Sequence, residues 1–188
     1  RPHRLADEDH MTDLTEPLPG LPPGKVFLRP HDRRWAALFA EEAAVITEAL
    51  GGAVLAIEHY GSTSIPSIDA KPVIDLLVGL PTLDEALAHR PALEALGYDY
   101  ASHAGVPGHH VFGKGVARTH LAHFVEYDGA EWRRCLAFRD ALRAAPARAA
   151  AYEALKRDLA ARHPDDRAAY TAGKGAFVAE VLAAVSAS

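Results

Sequence analysis

Two short apolar segments in the first half of the chain are typical of buried β-strands. Residues 53–60 and 72–80 are rich in β-branched side chains and are bounded by Gly and Pro, which favours strands over short helices. We expect both to be central strands of one sheet. A weaker alternation at residues 25–29 predicts a short edge strand that ends at Pro30.

Helical periodicity precedes and follows these strands. Asp32 is a candidate N-cap, and apolar residues then recur at helical spacing until the pair Gly51-Gly52 stops the helix. A second helix is predicted over residues 83–96, before Gly97. Three further short strands, separated by turns that contain glycine, are predicted at residues 98–102, 109–114 and 120–127.

The last third of the chain has a helical pattern throughout. Three helices are predicted, interrupted at Pro146 and at His163-Pro164, over residues 131–144, 147–162 and 167–185. Runs of strands followed by runs of helices are typical of an α+β domain. We therefore predict one α+β domain over residues 25–188, with a mixed β-sheet, flanking helices and a C-terminal helical layer.

The first 24 residues are predicted to be a largely irregular tail. Four prolines between residues 17 and 23 remove backbone donors and restrict helical geometry. Residues 1–10, which precede Met11, are polar and without pattern, and they suit either an added leader or a native tail.

Composition narrows the classes of partner. With 188 residues and 49% hydrophobic residues the chain can bury one core, and we expect no apolar run near the roughly 18 residues of a spanning helix. The net charge of −5 argues against general nucleic-acid binding and favours a small ligand. The single Cys135 excludes an internal disulfide, and no signal peptide is visible. We expect a soluble, cytoplasmic protein without a membrane partner.

A Gly-Ser turn followed by a buried carboxylate is the strongest candidate for chemistry. Gly61 permits a backbone conformation that points successive N–H groups and the hydroxyls of Ser62, Thr63 and Ser64 at one anion. Such turns more often have a purely structural role. Asp75 lies within an apolar strand, where a carboxylate needs a cation, a metal or several hydrogen-bond donors. Both a ligand-binding role and a structural bond to the turn remain open for Asp75.

These residues belong to a longer set of motifs that resembles the GrpB family of the nucleotidyltransferase-fold superfamily. The stretch from His59 to Val78 carries the resemblance, which extends over residues 26–185. The downstream segments that agree are 106–115, 118–125, Trp132, 138–143, 152–156 and 170–174. The resemblance implies a nucleotidyltransferase-like sheet and a small phosphorylated ligand or nucleotide as the binding partner.

The resemblance also implies a divalent metal, Mg or Mn, at Asp75. In active transferases of the superfamily the Gly-Ser turn precedes a strand with carboxylates at i and i+2, on one face, and these hold two metal ions. Here Leu77 occupies the i+2 position, so the second ligand is missing. Glu126, on a later strand, is the candidate substitute ligand, with an exposed structural glutamate as its alternative.

Two histidines match the family's His-x-x-His strand and join Asp75 as candidate catalytic residues. His120 and His123 face opposite sides of a regular strand, so joint metal binding needs a bulge or a helper such as His59. We expect one of them to face Asp75. The metal interpretation of the adjacent pair His109-His110 is weak, because these side chains diverge in the same way.

Basic residues near strand ends and on the last helix are candidate ligand contacts. Lys71 and Arg118 are preferred because strand ends line pockets more often than helix faces do. Lys114 and Lys174 are further candidates, and Lys174 shares a helix face with Tyr170. The alternative for each is a solvated surface position.

Three functions remain open from the sequence. The first is nucleotide binding with transfer of a nucleotidyl group. The second is a non-catalytic binding or regulatory module, because GrpB-like domains also occur joined to dephospho-CoA kinase, which suggests a link to CoA metabolism. The third is a metal-dependent hydrolase that uses His59, Asp75, His120 and His123.

Overall fold

The computed structural model describes residues 18, 20–102 and 106–187, and these residues form a five-stranded mixed sheet with helices on both faces. The strand order is β1-β2-β5-β4-β3. The strands are β1 (Ala56–Tyr60), β2 (Ile74–Leu80), β3 (Tyr98–Tyr100), β4 (His110–Lys114) and β5 (His120–Glu126). The α+β class and the mixed sheet are therefore confirmed.

Seven α-helices surround the sheet within the described residues. Three precede β3, and four follow β5 as the predicted C-terminal layer. Their bounds are α1 (Arg34–Leu50), α2 (Glu85–Ala88), α3 (Arg90–Ala95), α4 (Ala130–Ala144), α5 (Pro146–Arg162), α6 (Arg167–Ala172) and α7 (Gly175–Ser186).

The parallel pairing of β2 with β5 lies at the centre of the sheet, and the other strand pairs are antiparallel. Even-numbered residues of β2, such as Ile74 and Leu76, pack with α1 in the main core. Odd-numbered residues, including Asp75 and Leu77, therefore face the opposite side, because side chains alternate along a strand. There Leu77 packs against Val125 of β5 and Trp132 of α4.

Three features of the fold differ from the sequence predictions. Strand β1 is an edge strand rather than a central one, because β2 is its only partner in the sheet of the described residues. Residues 25–29 form no strand, although Arg29 and Ala70 exchange backbone hydrogen bonds of 2.8 and 3.0 Å. The predicted helix over 83–96 is two short helices, since Pro91 lacks the backbone donor that would continue α2.

The N-terminal tail is not wholly irregular where it is described. Leu21 is buried and exchanges backbone hydrogen bonds of 2.8 and 2.9 Å with Arg118. The rest of the predicted tail, residues 1–17 and Pro19, lies outside the described residues, as does His103 to Gly105.

One C-terminal segment corrects the expectation that no apolar run approaches the length of a spanning helix. Arg167–Ser186 has a mean hydropathy of 1.2, and by length and composition it is long and apolar enough to cross a membrane. In the structure this stretch is divided into α6 and α7 by a turn at Gly173 and Lys174. Length and composition alone do not assign it to a membrane.

Candidate functional site

A cleft of about 700 Å³ lies on the face of the sheet that carries Asp75. Strand β2 and the turn after β1 contribute Gly61, Ser62, Thr63 and Asp75, and helices α4 to α7 form the opposite wall. Among the described residues, six basic side chains and one carboxylate, that of Asp75, line the cleft, and the basic residues are Lys71, Arg118, Arg134, Arg139, Arg167 and Lys174.

Gly61 brings the turn into direct contact with Asp75. Its φ of +73° is in the left-handed region, and a Cβ atom at this position would lie 2.2 Å from Asp75 Oδ2. Ser62 beyond it interacts with the Tyr152 hydroxyl. Gly61 is therefore required both for the turn and for the position of the carboxylate.

The other two hydroxyls of the turn have structural partners. Thr63 Oγ1 lies 2.9 Å from Nε2 of His59, and Ser64 Oγ donates a 2.6 Å hydrogen bond to the Gly61 carbonyl. Ser64 does not line the cleft, and His59 lies in a neighbouring depression, with its ring stacked 4.7 Å from that of Phe39. Burial lowers the pKa of His59 to about 4, so the ring is neutral near pH 7.

His123 is the histidine that faces Asp75. It pairs with Leu77 in the parallel register, which places it two residues along from Asp75 on the same face of the sheet. Its Nε2 lies 3.6 Å from Asp75 Oδ1, is buried and has no hydrogen-bond partner among the described residues. The expectation that one of the two histidines faces Asp75 agrees with this geometry.

His120 and Lys114 lie on the opposite side of the sheet. They are cross-strand partners, and Lys114 Nζ donates hydrogen bonds of 2.8 and 2.9 Å to the buried carboxylate of Glu42 on α1. Tyr98 donates a 2.9 Å hydrogen bond to the same carboxylate. The structure therefore does not bring Lys114 or His120 to Asp75, because the sheet lies between them.

Glu126 lies away from Asp75, and Arg118 lines the cleft with partners of its own. Glu126 pairs with Leu80, five positions along β2 from Asp75, and its even-numbered position turns it to the other face. It cannot share a metal with Asp75. The Arg118 guanidinium lines the cleft but is held by both carboxylate oxygens of Asp99 and by the carbonyls of Gly113 and Gly115.

Lys71 and Lys174 both lie against the ring of Tyr170. Their ammonium nitrogens lie 5.2 and 4.8 Å from the ring centroid. Within the described part of the chain, neither nitrogen makes a hydrogen bond or an ion pair. Burial, followed by repulsion from Lys174, lowers the pKa of Lys71 to about 7, and burial also lowers that of Lys174. The cleft thus contains two cationic groups without a paired carboxylate in the part of the chain that the structure describes.

A second polar cluster adjoins His123 at the edge of the cleft. Nδ1 of His109 lies 3.3 Å from Nδ1 of His123, and its Nε2 lies 3.0 Å from Oε2 of Glu131. Cys135, one helical turn after Glu131, lines the cleft. Burial lowers the pKa of His109 to about 4 and outweighs the opposite effect of Glu131, whereas burial raises the pKa of the Cys135 thiol to about 11.

Helix α4 contributes a wall of the cleft that was not predicted from the sequence. Arg134, Cys135, Phe138 and Arg139 line the cleft from one face of this helix, and Arg139 donates to Glu58 Oε2 at 2.7 Å. Their spacing of i, i+1, i+4 and i+5 is a helical stripe that was visible in the sequence. Nothing in the spacing alone indicates that this stripe faces Asp75. A mixed five-stranded sheet with a basic cleft beside its parallel pair defines an α+β protein with a candidate anion-binding site.

Comparisons with known proteins identify the family. The GrpB protein family model matches residues 25–184. The glutamate-rich protein GrpB of Alkalihalophilus pseudofirmus is 38% identical over 169 residues, which cover 87% of this chain and 97% of that protein. The chain therefore belongs to the GrpB family, which confirms the family named from the motifs but not the nucleotidyltransferase-fold superfamily.

Two further relatives agree with this assignment. UPF0157 protein YqkA of Bacillus subtilis is 37% identical over 158 residues, which cover 84% of this chain and 46% of YqkA. The crystal structure of the conserved protein GrpB from Enterococcus faecalis has a TM-score of 0.77 at 35% identity, and the match covers 85% of this chain and 96% of that one. The matches thus cover less than half of YqkA and nearly all of the Enterococcus faecalis protein.

Proposed function

We propose that the cleft binds a nucleotide or a related small phosphorylated ligand. The observation that carries this proposal is the pair Lys71 and Lys174, whose ammonium groups both lie against the Tyr170 ring without a hydrogen-bonded carboxylate among the described residues, while the charge of Asp75 acts on both at longer range. Like charges that are partly removed from solvent repel, and an anion beside them offsets both the repulsion and the loss of solvation. Phosphate oxygens suit this role because each accepts charge-assisted hydrogen bonds.

The charge distribution supports an anionic ligand in preference to a neutral one. The whole chain has a formal charge of −5, yet the described lining of the cleft has six basic side chains and one carboxylate. Arg118, Arg134 and Arg139 have carboxylate partners outside this lining, so the excess of positive charge comes from Lys71, Lys174 and Arg167. Such concentration of one sign of charge in a concave site attracts the opposite sign. The Gly61-Ser62 turn adds a hydroxyl on the same wall, where it can position a phosphate oxygen.

We also propose a nucleotidyltransferase-like fold and, with it, a possible transfer reaction. The number of carboxylates near Asp75 determines how many metal ions such a reaction could use. Among the described residues Asp75 is the only carboxylate that lines the cleft, Leu77 is fully buried beside Trp132, and Glu126 is on the other face. These residues do not fit a two-metal centre, which needs a second carboxylate near the first. Asp75 supports at most one Mg or Mn ion, shared with the ligand.

The same observation favours a second candidate, a non-catalytic binding or regulatory module. Leu77 packs into the apolar core at the position where the resemblance expects a second carboxylate. Binding without turnover, with a CoA-related compound as one ligand class, is the expected behaviour of such a module. The hydrolase alternative has less support, because His59 and His120 do not line the cleft with Asp75 and His123.

Removal of either cleft lysine tests the proposal directly. Lys71→Met and Lys174→Met are each expected to weaken nucleotide binding about tenfold or more, since one charge-assisted hydrogen bond contributes about 1.5–3 kcal/mol. Isothermal titration calorimetry with ATP, GTP, CTP, UTP and CoA, each with and without Mg²⁺ or Mn²⁺, gives the dissociation constants. A labelled-nucleotide assay on the wild type and Asp75→Ala distinguishes transfer from binding alone.

The control is Arg90→Met, which removes the same unit of charge from an exposed pair on α3. Its affinity is expected to match that of the wild type. The proposal is wrong if no compound of the panel binds, or if the lysine variants bind as well as the control while they retain their folded spectra.

A further inference from the structure

We propose that His109, Glu131 and Cys135 form a binding site for one divalent transition-metal ion of the zinc type, and that this ion sets the hydrogen bonding between His123 and Asp75. One ligand atom from each of the three residues lies within 4.8 Å of the other two. Ligand atoms around a tetrahedral zinc ion are roughly 3.5 Å apart. A closure of about 1 Å by side-chain rotation therefore completes the site.

The donor types favour zinc or cobalt over magnesium. Imidazole nitrogen, thiolate sulfur and carboxylate oxygen are a borderline-soft set, whereas magnesium prefers oxygen ligands. Three protein ligands leave a fourth position open, as in zinc sites that bind water or a substrate. Cys135 lines the cleft that contains Asp75, so the proposed site adjoins that cleft.

The local structure brings the three ligands together from two elements. Glu131 and Cys135 are four residues apart on α4 and share one face of the helix. Gly108, with φ of +74°, precedes His109, and a Cβ at Gly108 would lie 2.8 Å from Glu131 Cγ. The glycine thus permits the close approach of the His109 loop to α4.

Contacts of His109 and His123 connect the proposed metal site to Asp75. A carboxylate only accepts hydrogen bonds, so in the neutral ring Nε2–H of His109 donates to Glu131 and Nδ1 is an acceptor. When His123 is also neutral, its Nδ1–H donates to His109, and its unprotonated Nε2 then faces the Asp75 carboxylate at 3.6 Å. Two acceptors face one another, and this His123 nitrogen is buried and has no partner among the described residues.

A metal ion bound to Nε2 of His109 would reverse the direction of these hydrogen bonds. Nδ1 of His109 then carries the proton and donates to His123, and Nε2–H of His123 faces Asp75 as a donor. The His123 nitrogen thereby acquires a partner. Arg134, which holds Glu131 at 2.8 Å, is 45% exposed at its side chain and can turn to solvent when the ion takes the carboxylate.

Cobalt titration tests the site without any nucleotide. The chelator-treated chain of 188 residues is expected to bind one equivalent of Co²⁺ with a thiolate-to-cobalt charge-transfer absorption, and Zn²⁺ should displace it. Cys135→Ser should abolish this absorption, and His109→Gln and Glu131→Gln should each weaken binding about tenfold or more. His110→Gln, whose ring is bonded to Tyr100 instead, is the matched control and should bind normally.

The cobalt absorption spectrum of the wild-type protein tests the metal site even if a variant does not fold. Absence of a thiolate absorption at saturating Co²⁺, or equal binding by His109→Gln and His110→Gln, overturns the metal site. Nitrogen-15 NMR of the imidazole rings tests the second part, because zinc should move the proton of His123 from Nδ1 to Nε2. An unchanged tautomer in the zinc-saturated protein contradicts the connection to Asp75.

Discussion

At the scale of single residues, Lys71 controls the charge state of the cleft. Burial and the neighbouring Lys174 lower its pKa to about 7, whereas Asp75 raises it to a smaller extent. An unliganded Lys71 is therefore poised to gain or lose a proton near neutral pH. A bound phosphate group favours the protonated form, because opposite charges in contact raise the pKa of an ammonium group.

Ligand binding is accordingly expected to depend on pH. As pH rises through about 7 the free protein loses the Lys71 proton, and the affinity for a phosphorylated ligand falls because the cation must be restored on binding. At pH 8, between the free and bound pKa values, binding should take up about one proton. Calorimetry in buffers with different ionisation enthalpies measures this uptake.

Lys71→Arg is the control for this prediction, since a guanidinium remains charged across the whole range. Its binding should show much less proton uptake than the wild type. A wild-type affinity that is constant from pH 6 to pH 9 would falsify the role of Lys71.

Residue roles were predictable from the sequence only in part. Asp75 stands out because a carboxylate interrupts an apolar strand, and Lys71 because it precedes that strand. The partners of His109 were hidden, since Glu131 lies 22 residues away on a different element. The ligand role of Arg118 stays a prediction, and its pairing with Asp99 was hidden because Asp99 comes from a neighbouring strand that the spacing does not reveal.

At the scale of elements, the turn between β1 and β2 holds the Asp75 wall of the cleft in place. Gly61 begins a short 3₁₀ helix at Ser62–Ser64 and contacts Asp75 directly. The register then places Asp75 opposite Tyr60 of β1 and Leu121 of β5. The position of the carboxylate therefore depends on three elements and not on β2 alone.

Gly61→Ala should weaken both folding and ligand binding. The added Cβ would meet Asp75 Oδ2 at 2.2 Å, and φ of +73° is unfavourable for alanine. We expect a loss of about 1–3 kcal/mol in the free energy of unfolding, measured by urea denaturation. Gly52→Ala is the matched control, since no atom lies within 4 Å of its added Cβ. Equal stability of the two variants would contradict the packing described for Gly61.

Element types were largely predictable, whereas their interruptions were not. The strand prediction over 120–127 succeeded because its apolar run has turn residues at both ends. The helix prediction over 167–185 overlooked the interruption at Gly173 and Lys174, where apolar periodicity continues across the turn. Periodicity reports which face is apolar and does not report where the backbone changes direction.

At the scale of the whole molecule, the sheet separates a structural polar network from the cleft. On the α1 side, Lys114 and Tyr98 together satisfy the buried Glu42 carboxylate. On the other side, Lys71 and Lys174 have no such partner among the described residues. Lysines that look alike in the sequence therefore differ in role by the face of the sheet that they occupy.

Lys114→Met should lower stability and leave ligand binding intact. Loss of the cation leaves Glu42, which is 8% exposed, with the Tyr98 hydroxyl as its remaining hydrogen-bond donor among the described side chains. We expect a cost of about 1–3 kcal/mol in urea denaturation. Lys174→Met is expected to give the opposite pattern. Weakened nucleotide binding by Lys114→Met with unchanged stability would show that the two faces are not independent.

The parallel pairing of β2 with β5 has a consequence for the order of folding. Asp75 and His123 reach one another only after the chain between these strands, which contains β3 and β4, has closed as a long loop. Long-range strand pairing is slow because its loop-closure entropy is lost before its contacts form. Asp75 and His123 therefore meet late in folding. Because Lys174 follows β5 in the chain, a nascent chain emerging from the ribosome has no complete binding site until Lys174 has also been synthesised.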